Sequence, residues 1–345
     1  MTQVTEHGGG VWSIKVPIPK NPLGNTLVHL LDTDRGPVLI DTGWDDPDSW
    51  DMLVAGLDAC GVAIGDVHGV VITHHHPDHH GLSGQVREAS GAWLAMHPAD
   101  THVVRRTQEQ RPGEWVDYIT AKLTAAGASE EHLAPLIAAR DSGRMRTVPG
   151  LNSALPDREI TPGELLDLAG RKLRAIWTPG HTPGHVCLHL EEEHPANKPG
   201  HGRLFSGDHL LPEITPHIGL YEDPDDATVT DPLGDYLASL ERIARLGVAE
   251  VLPAHQYAFT DAAGRVQELL DHHEERLRDL RTLLATPLTP WQLAVQMEWN
   301  RPWDEIPYGS RNIAVSEAEA HLRRLVKLGH AEAVPGSDPV TYCAV

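Results

Sequence analysis

From Val11 to Ile40 the apolar residues fall in short runs broken by turn formers, which predicts strands. Val11 to Val16 alternates, and Pro17 to Asn25 is a proline-bearing connection. Thr26 to Leu31 and Pro37 to Ile40 are β-rich runs around the hairpin signal Asp32-Thr33-Asp34-Arg35-Gly36. The period then changes. Trp50, Leu53, Val54 and Leu57 share one face of a helix expected over Pro47 to Cys60. Val67 to Thr73 reads as a buried strand, Gly81 to Ala89 as a short helix and Trp93 to Met96 as a further strand, with His97 as a turn residue at its end.

From Pro98 to Arg146 the pattern is helical and more polar, with helices over Gly113 to Ala126 and Ser129 to Arg140. This insertion either packs an apolar face on the body or, through Trp115 and Tyr118, walls a substrate pocket. Strands resume at Arg158 to Ile160, Lys172 to Trp177, Val186 to Leu190, Arg203 to Ser206 and Val248 to Leu252. Between the last two, Asp231 as N-cap and Pro232 at the first helical position open a helix to Leu246, with Leu233, Leu237, Leu240, Ile243 and Ala244 on its apolar face. After Ala262 the composition shifts to helices over Arg265 to Leu284, Trp291 to Glu298 and Ser316 to Leu328, followed by a β-like tail from Ala331 to Val345. Helices ahead of a terminal hairpin suggest a small winged-helix-like domain. The expected organisation is a catalytic domain over 1–261 carrying the helical insertion 98–146, and a C-terminal domain over 262–345.

Composition narrows the partners. The chain has 345 residues, a formal net charge of -21 and a pI near 5.4, a field that repels nucleic acid and anionic membranes. Residues 262–345 hold 9 Lys and Arg against 12 Asp and Glu, a net of 9 - 12 = -3, so DNA binding by a winged helix is not supported. Cys60, Cys187 and Cys343 are far apart and odd in number, which implies neither a disulfide framework nor a cysteine zinc site. With no signal-like N-terminus and no membrane-length apolar run, the expectation is a cytoplasmic protein.

The chemistry concentrates in Thr73-His74-His75-His76-Pro77-Asp78-His79-His80, where a strand runs out into a loop. Packed neutral imidazoles without partners cost about 1–3 kcal/mol each, so a metal site is the expectation. In extended chain, residues i and i+2 point the same way, so His74 and His76 can share one ion, and beyond Pro77 the turn lets Asp78 and His79 face a second. His75 and His80 are left as bystanders whose loss should matter least. Each ion needs about four ligands, so other loops must complete the set. His181, Asp208 and His255 each follow an apolar strand beside glycine or proline. Asp41, at a strand end, is either a turn cap or a partner for a metal-bound histidine.

This succession, H-x-H-x-D-H after a strand, then Gly180-His181, Gly207-Asp208 and Pro253-Ala254-His255, resembles the metallo-β-lactamase superfamily in its dinuclear form, as in glyoxalase II. The resemblance covers about residues 11 to 260, and the region from Leu211 to Leu246 together with the C-terminal module is similar to the branch with an appended winged helix. It implies an α/β fold, a four-layer αββα sandwich. It also implies His74, His76 and His181 at one metal, Asp78, His79 and His255 at the other, and Asp208 bridging both. His185 is not a ligand in relatives and has a supporting or packing role. Two zinc ions are the default, with iron or manganese as alternatives.

The activity so implied is hydrolysis of an ester or thioester of acyl-glutathione or acyl-CoA type, by a metal-bridging hydroxide that attacks the carbonyl, with Asp78 and Asp208 as the catalytic carboxylates. Tyr257 matches a thiol-moiety contact of glyoxalase II, whereas no basic pair for the glutathione carboxylates can be placed. A single-strand endoribonuclease is the second enzyme reading, reported for relatives with the same module. A β-lactam substrate ranks third. A metal-dependent regulator or scaffold is the reading from another class. A homodimer through the insertion or the winged helix is the expected assembly.

Overall fold

The computed structural model describes residues 4–111, 113–142, 152–221 and 230–345, so Pro112 and residues 143–146 of the expected insertion lie outside the described residues. Two compact units divide the chain. One comprises Met1–Glu109, Pro149–Pro216 and Ala238–Val266, and the other Gln110–Val148, His217–Leu237 and Gln267–Val345.

In the first unit, β1 (Val4–Glu6), β2 (Val11–Pro17), β3 (Asn25–Leu31), β4 (Val38–Ile40), β5 (Gly69–Val71), β6 (Trp93–Met96) and β7 (Arg158–Glu159) form one sheet in sequence order. Pairing is antiparallel as far as β4 and parallel beyond it. A second sheet, built from β8 (Leu173–Trp177), β9 (Val186–Leu190), β10 (Arg203–Gly207) and β11 (Glu250–Pro253), has the order β11-β10-β9-β8. Alternation assigns the faces. Leu30, Leu39, Val70, Ile72, Leu94 and Met96 turn towards α1 (Pro47–Ala59), where they meet Leu53 and Leu57. Leu31, Val38, Ile40, Val71 and Ala95 turn the other way, onto Leu173, Val186, Leu188, Phe205 and Leu252 of the second sheet. Both faces of the first sheet are therefore buried, as the apolar runs require.

Apart from the single 3-10 turns Ile64–Asp66 and Trp303–Glu305, two short elements escaped the sequence pattern. β1 forms in the polar N-terminal stretch because an exposed edge strand needs only the ladder of β2, not an apolar period of its own. The histidine loop contains α2 (Pro77–His80), a single turn opened by Pro77 and too short to show a helical period. It is followed by α3 (Ser83–Ser90), and β6 leads into α4 (Pro98–Glu109).

The second unit gathers α5 (Glu114–Ala125), α6 (Glu130–Asp141), α9 (Pro290–Gln296) and α10 (Tyr308–Lys327). The helix α7 (Pro232–Ala244) ends in the first unit, and α8 (Ala262–Leu283) begins there. Val116 and Leu123 of α5 and Leu133 and Leu136 of α6 share one core with Leu280, Leu293, Leu322 and Leu325. The 98–146 stretch is thus divided: α4 belongs to the first unit, whereas α5 and α6 pack with the C-terminal helices, Trp115 among them. Asp231 caps α7 as its sequence predicts, accepting from Gly234 N–H at 3.0 Å, and its other oxygen takes the Arg324 guanidinium of α10 at 2.9 Å. Antiparallel β12 (Ala331–Ala333) and β13 (Tyr342–Ala344) end the chain.

The last turns of α7 cap the second sheet's end of the first unit. Ser239 Oγ donates to Pro179 O and Arg242 to Trp177 O, while Leu240 and Ile243 are buried. Helix, sheet, sheet and helix make the αββα sandwich, and the loops that leave β5, β8, β10 and β11 carry the predicted ligands. No helix among the described residues is long and apolar enough to cross a membrane.

Candidate metal centre

His76 sits in extended backbone, φ -60° and ψ 148°, before Pro77 starts α2, so His74 and His76 present their rings to the same side. His76 Nδ1 lies 3.1 Å from His74 Nε2 and 2.9 Å from His181 Nε2, which arrives on the loop after β8. Helical geometry then turns Asp78 and His79 elsewhere. His255 Nε2, on the loop after β11, lies 3.4 Å from Asp78 Oδ2, and His79 Nε2 lies 3.6 Å from that same oxygen. Asp208 stands between the two groups. Its Oδ2 is 3.5 Å from His181 Nε2, whereas its Oδ1 is 3.4 Å from His79 Nε2 and 3.2 Å from His255 Nε2. The structure brings all seven residues together.

Supporting hydrogen bonds fix which nitrogen faces the centre. Asp41 is a partner of the site: its Oδ2 accepts from His79 Nδ1 at 2.8 Å, which aims His79 Nε2 at the carboxylates. Asp41 adopts φ 63°, unusual for a residue with a side chain, and also accepts from Thr73 N–H and Thr73 Oγ1. His255 Nδ1 donates to Asn25 O at 3.0 Å, leaving Nε2 for the centre. His185 Nε2 accepts from Asp208 N–H at 3.2 Å and its Nδ1 donates to Thr178 Oγ1 at 2.8 Å, so His185 holds the backbone that carries Asp208. Gly207 serves the same contact, because at φ 51° a Cβ there would come within 2.7 Å of His185 Nε2.

Charge divides the cluster in two. Burial, reinforced by neighbouring imidazoles, holds His74 and His76 well below the ordinary histidine range, so their nitrogens keep lone pairs. Burial would also strip His79 and His255, yet the Asp208 and Asp78 carboxylates hold His79 well above its ordinary value and push His255 up to about 10. Asp208 itself stays well below the carboxylate range, since His255 and His79 outweigh its burial. The carboxylate side thus demands positive charge and the histidine side offers donors. His79 Nε2, His255 Nε2 and Asp208 Oδ1 are buried without an aligned hydrogen-bond partner. Leaving such atoms unmatched costs about 1–3 kcal/mol each, and imidazole and carboxylate donors of this kind suit divalent metal ions. The residues fit the implied ions.

Other predicted residues fall elsewhere. His80 is buried and its Nε2 donates to Ala154 O at 2.9 Å. Tyr257 is half exposed and donates to Glu213 Oε1 at 2.6 Å. His97 stacks on Trp177, with ring centroids 5.4 Å apart. Sequence reasoning missed Asp100, a fully buried carboxylate in the first turn of α4 that touches both histidine loops. An aspartate opening a helix is ordinary, and nothing local to it marks these long-range contacts.

Comparison with known proteins agrees with this arrangement. Residues 21–255 match the family model described as the metallo-beta-lactamase superfamily. The probable metallo-hydrolase YqjP of Bacillus subtilis (strain 168) is 26% identical over 342 residues, covering 96% of this chain and 94% of that protein. A metallo-beta-lactamase family protein from Thermus thermophilus superposes with a TM-score of 0.76 at 31% identity, covering 97% of this chain and 99% of that one. A beta-lactamase domain protein from Burkholderia ambifaria gives 0.79 at 25% identity, with 99% and 94% covered. With the family model spanning most of the chain and the fold matched over nearly its whole length, the chain belongs to the metallo-beta-lactamase superfamily of metal-dependent hydrolases.

Proposed function

We propose that this chain is a dinuclear hydrolase of an ester or thioester, with His74, His76 and His181 at one ion, Asp78, His79 and His255 at the other, and Asp208 shared. The observation that carries the reading is the division of Asp208, one oxygen towards each donor group. Two zinc ions, or iron or manganese, would supply Lewis-acid polarisation of a carbonyl and an activated water near neutral pH. The chain's own part is to hold the donors in place. Asp41 and Asn25 O set the tautomers of His79 and His255, and His185 fixes the Asp208 backbone.

A protein nucleophile is disfavoured. Cys187 is buried and its thiol is pushed up to about 12 by that burial, so it stays protonated and inert. The thioester branch is supported by the similarity of the motif to glyoxalase II and by Tyr257, whose ring stands half exposed two residues after His255. A winged-helix-like role for the C-terminal part is supported by its helices followed by the β12–β13 hairpin. A homodimer and a cytoplasmic location belong to the same reading and rest on the sequence alone.

The test is metal counting by plasma mass spectrometry alongside turnover of acyl-glutathione, acyl-CoA, single-stranded RNA and β-lactam substrates, for wild type and His79→Ala. The expected result is two ions per chain and thioester turnover that falls at least about a hundredfold in the variant. Full activity after exhaustive chelation sinks the mechanism, and turnover confined to RNA or β-lactam replaces the substrate class.

A further inference from the structure

We propose that Asp100 is the positioning residue that makes the histidine-only half of the centre, His74, His76 and His181, competent to hold its ion. The inference rests on the two-ion reading and deepens it. His76 and His181 lie on loops from different sheets, after β5 and β8, so no strand ladder sets their separation. At the base of the loops Val186 N–H donates to Thr73 O at 2.9 Å. Nearer the ligands the joint is Asp100, carried in by a third element, α4.

Its carboxylate takes four hydrogen bonds. From the first loop it accepts His75 N–H at 2.8 Å and His75 Nδ1–H at 3.0 Å, both at Oδ2. From the second it accepts Thr182 Oγ1–H at 2.8 Å, also at Oδ2, and Gly184 N–H at 2.6 Å, at Oδ1. The donors therefore include a neighbour of each ligand: His75 between His74 and His76, and Thr182 next to His181. Gly184 permits the approach, since a Cβ there would come within 2.6 Å of both Asp100 N and Oδ1. His75 is thus no bystander but the first loop's half of the clamp.

All four partners are donors, so the site demands an acceptor-only group of this length. Asparagine matches the shape but must point its amide N–H₂ at another donor. Glutamate keeps the charge but is one carbon too long. The carboxylate-rich half is held by other groups, Asp41 on His79 and Asn25 O on His255, neither of which touches Asp100. Loss of Asp100 should therefore strike one half of the centre.

The experiment is calorimetric zinc titration of metal-free protein, with cobalt(II) absorption to tell the histidine site from the carboxylate site, on wild type, Asp100→Asn, Thr182→Val and Asp41→Asn. Wild type is expected to bind two ions. Asp100→Asn should weaken the histidine site about 10- to 100-fold and leave the other near wild type. Thr182→Val should act in the same direction less strongly, and Asp41→Asn on the opposite site. If Asp100→Asn unfolds, Thr182→Val carries the test. Wild-type binding of both ions by Asp100→Asn or by Thr182→Val overturns the inference, as does equal weakening of both sites together with a lowered melting point of the metal-free protein. A wild type that binds fewer than two ions removes the dinuclear reading instead, and the inference with it.

Discussion

His80 and His79 are adjacent in α2, yet one aims at the centre and the other away from it. The rings diverge because consecutive helical residues project about 100° apart. His80 is buried to 1% exposure, is held neutral with a pKa lowered to about 4 by that burial, and satisfies Ala154 O. The expectation that it could be lost at little cost therefore does not hold. His80→Ala removes a buried ring and orphans a carbonyl, which together should cost about 2–4 kcal/mol. Urea unfolding of the metal-free variant checks this, with zinc stoichiometry expected to stay at the wild-type value. A loss below about 0.5 kcal/mol, the range of neutral surface substitutions, would show that the ring is not part of the packing. At this scale the ligands were legible because four of the seven crowd into six residues and the others follow strands beside glycine or proline. Asp100 was not, because its meaning lies in donors from loops distant in sequence.

Among the elements, strands β2 to β6 were readable as short apolar runs because both their faces are covered, by α1 on one side and the second sheet on the other. Periodicity reports that a helix has an apolar face but not what covers it. The helices α5 and α6 were visible in the sequence, while their partners, α9 and α10, lie more than a hundred residues on. The shared core makes a concrete expectation: Leu123→Ala, in the insertion, should destabilise the second unit by about 2–5 kcal/mol, as a buried leucine truncation does. Hydrogen exchange read by mass spectrometry should show faster exchange in α10, with β3 to β5 unchanged. Acceleration confined to α5 itself would mean that the insertion is an independent appendage.

Across the whole molecule each unit carries its own acid-sensitive histidine outside the seven proposed metal ligands. In the first, His29 is buried and its pKa is lowered to about 3; its Nε2 donates to Pro253 O at 3.2 Å, and its Nδ1, carrying no proton, accepts from Ser13 Oγ at 2.9 Å. In the second, His321 is lowered to about 4 by burial and donates from Nδ1 to Glu317 O at 2.8 Å. A depressed folded pKa means that the folded chain refuses a proton that the unfolded chain takes below about pH 6.5. The stability these neutral rings contribute is therefore complete above about pH 6.5 and is lost as the pH falls towards 4 and then 3, at about 1.4 kcal/mol per pH unit for each ring. Glu317 extends the same limb: with its pKa lowered to about 2 by His217 against its burial, it is stabilising above its ordinary value of 4.5 and loses that contribution below it. His29→Gln keeps a donor for Pro253 O, and His321→Gln keeps one for Glu317 O, yet neither glutamine titrates. Each variant, metal-free and followed by urea unfolding between pH 7.5 and 4.5, should show a shallower loss of stability than wild type. Because the two rings lie in different units, the double variant should flatten the curve by the sum of the two changes. Curves that run parallel to wild type would show that these histidines are protonated in the folded protein as readily as in the unfolded chain.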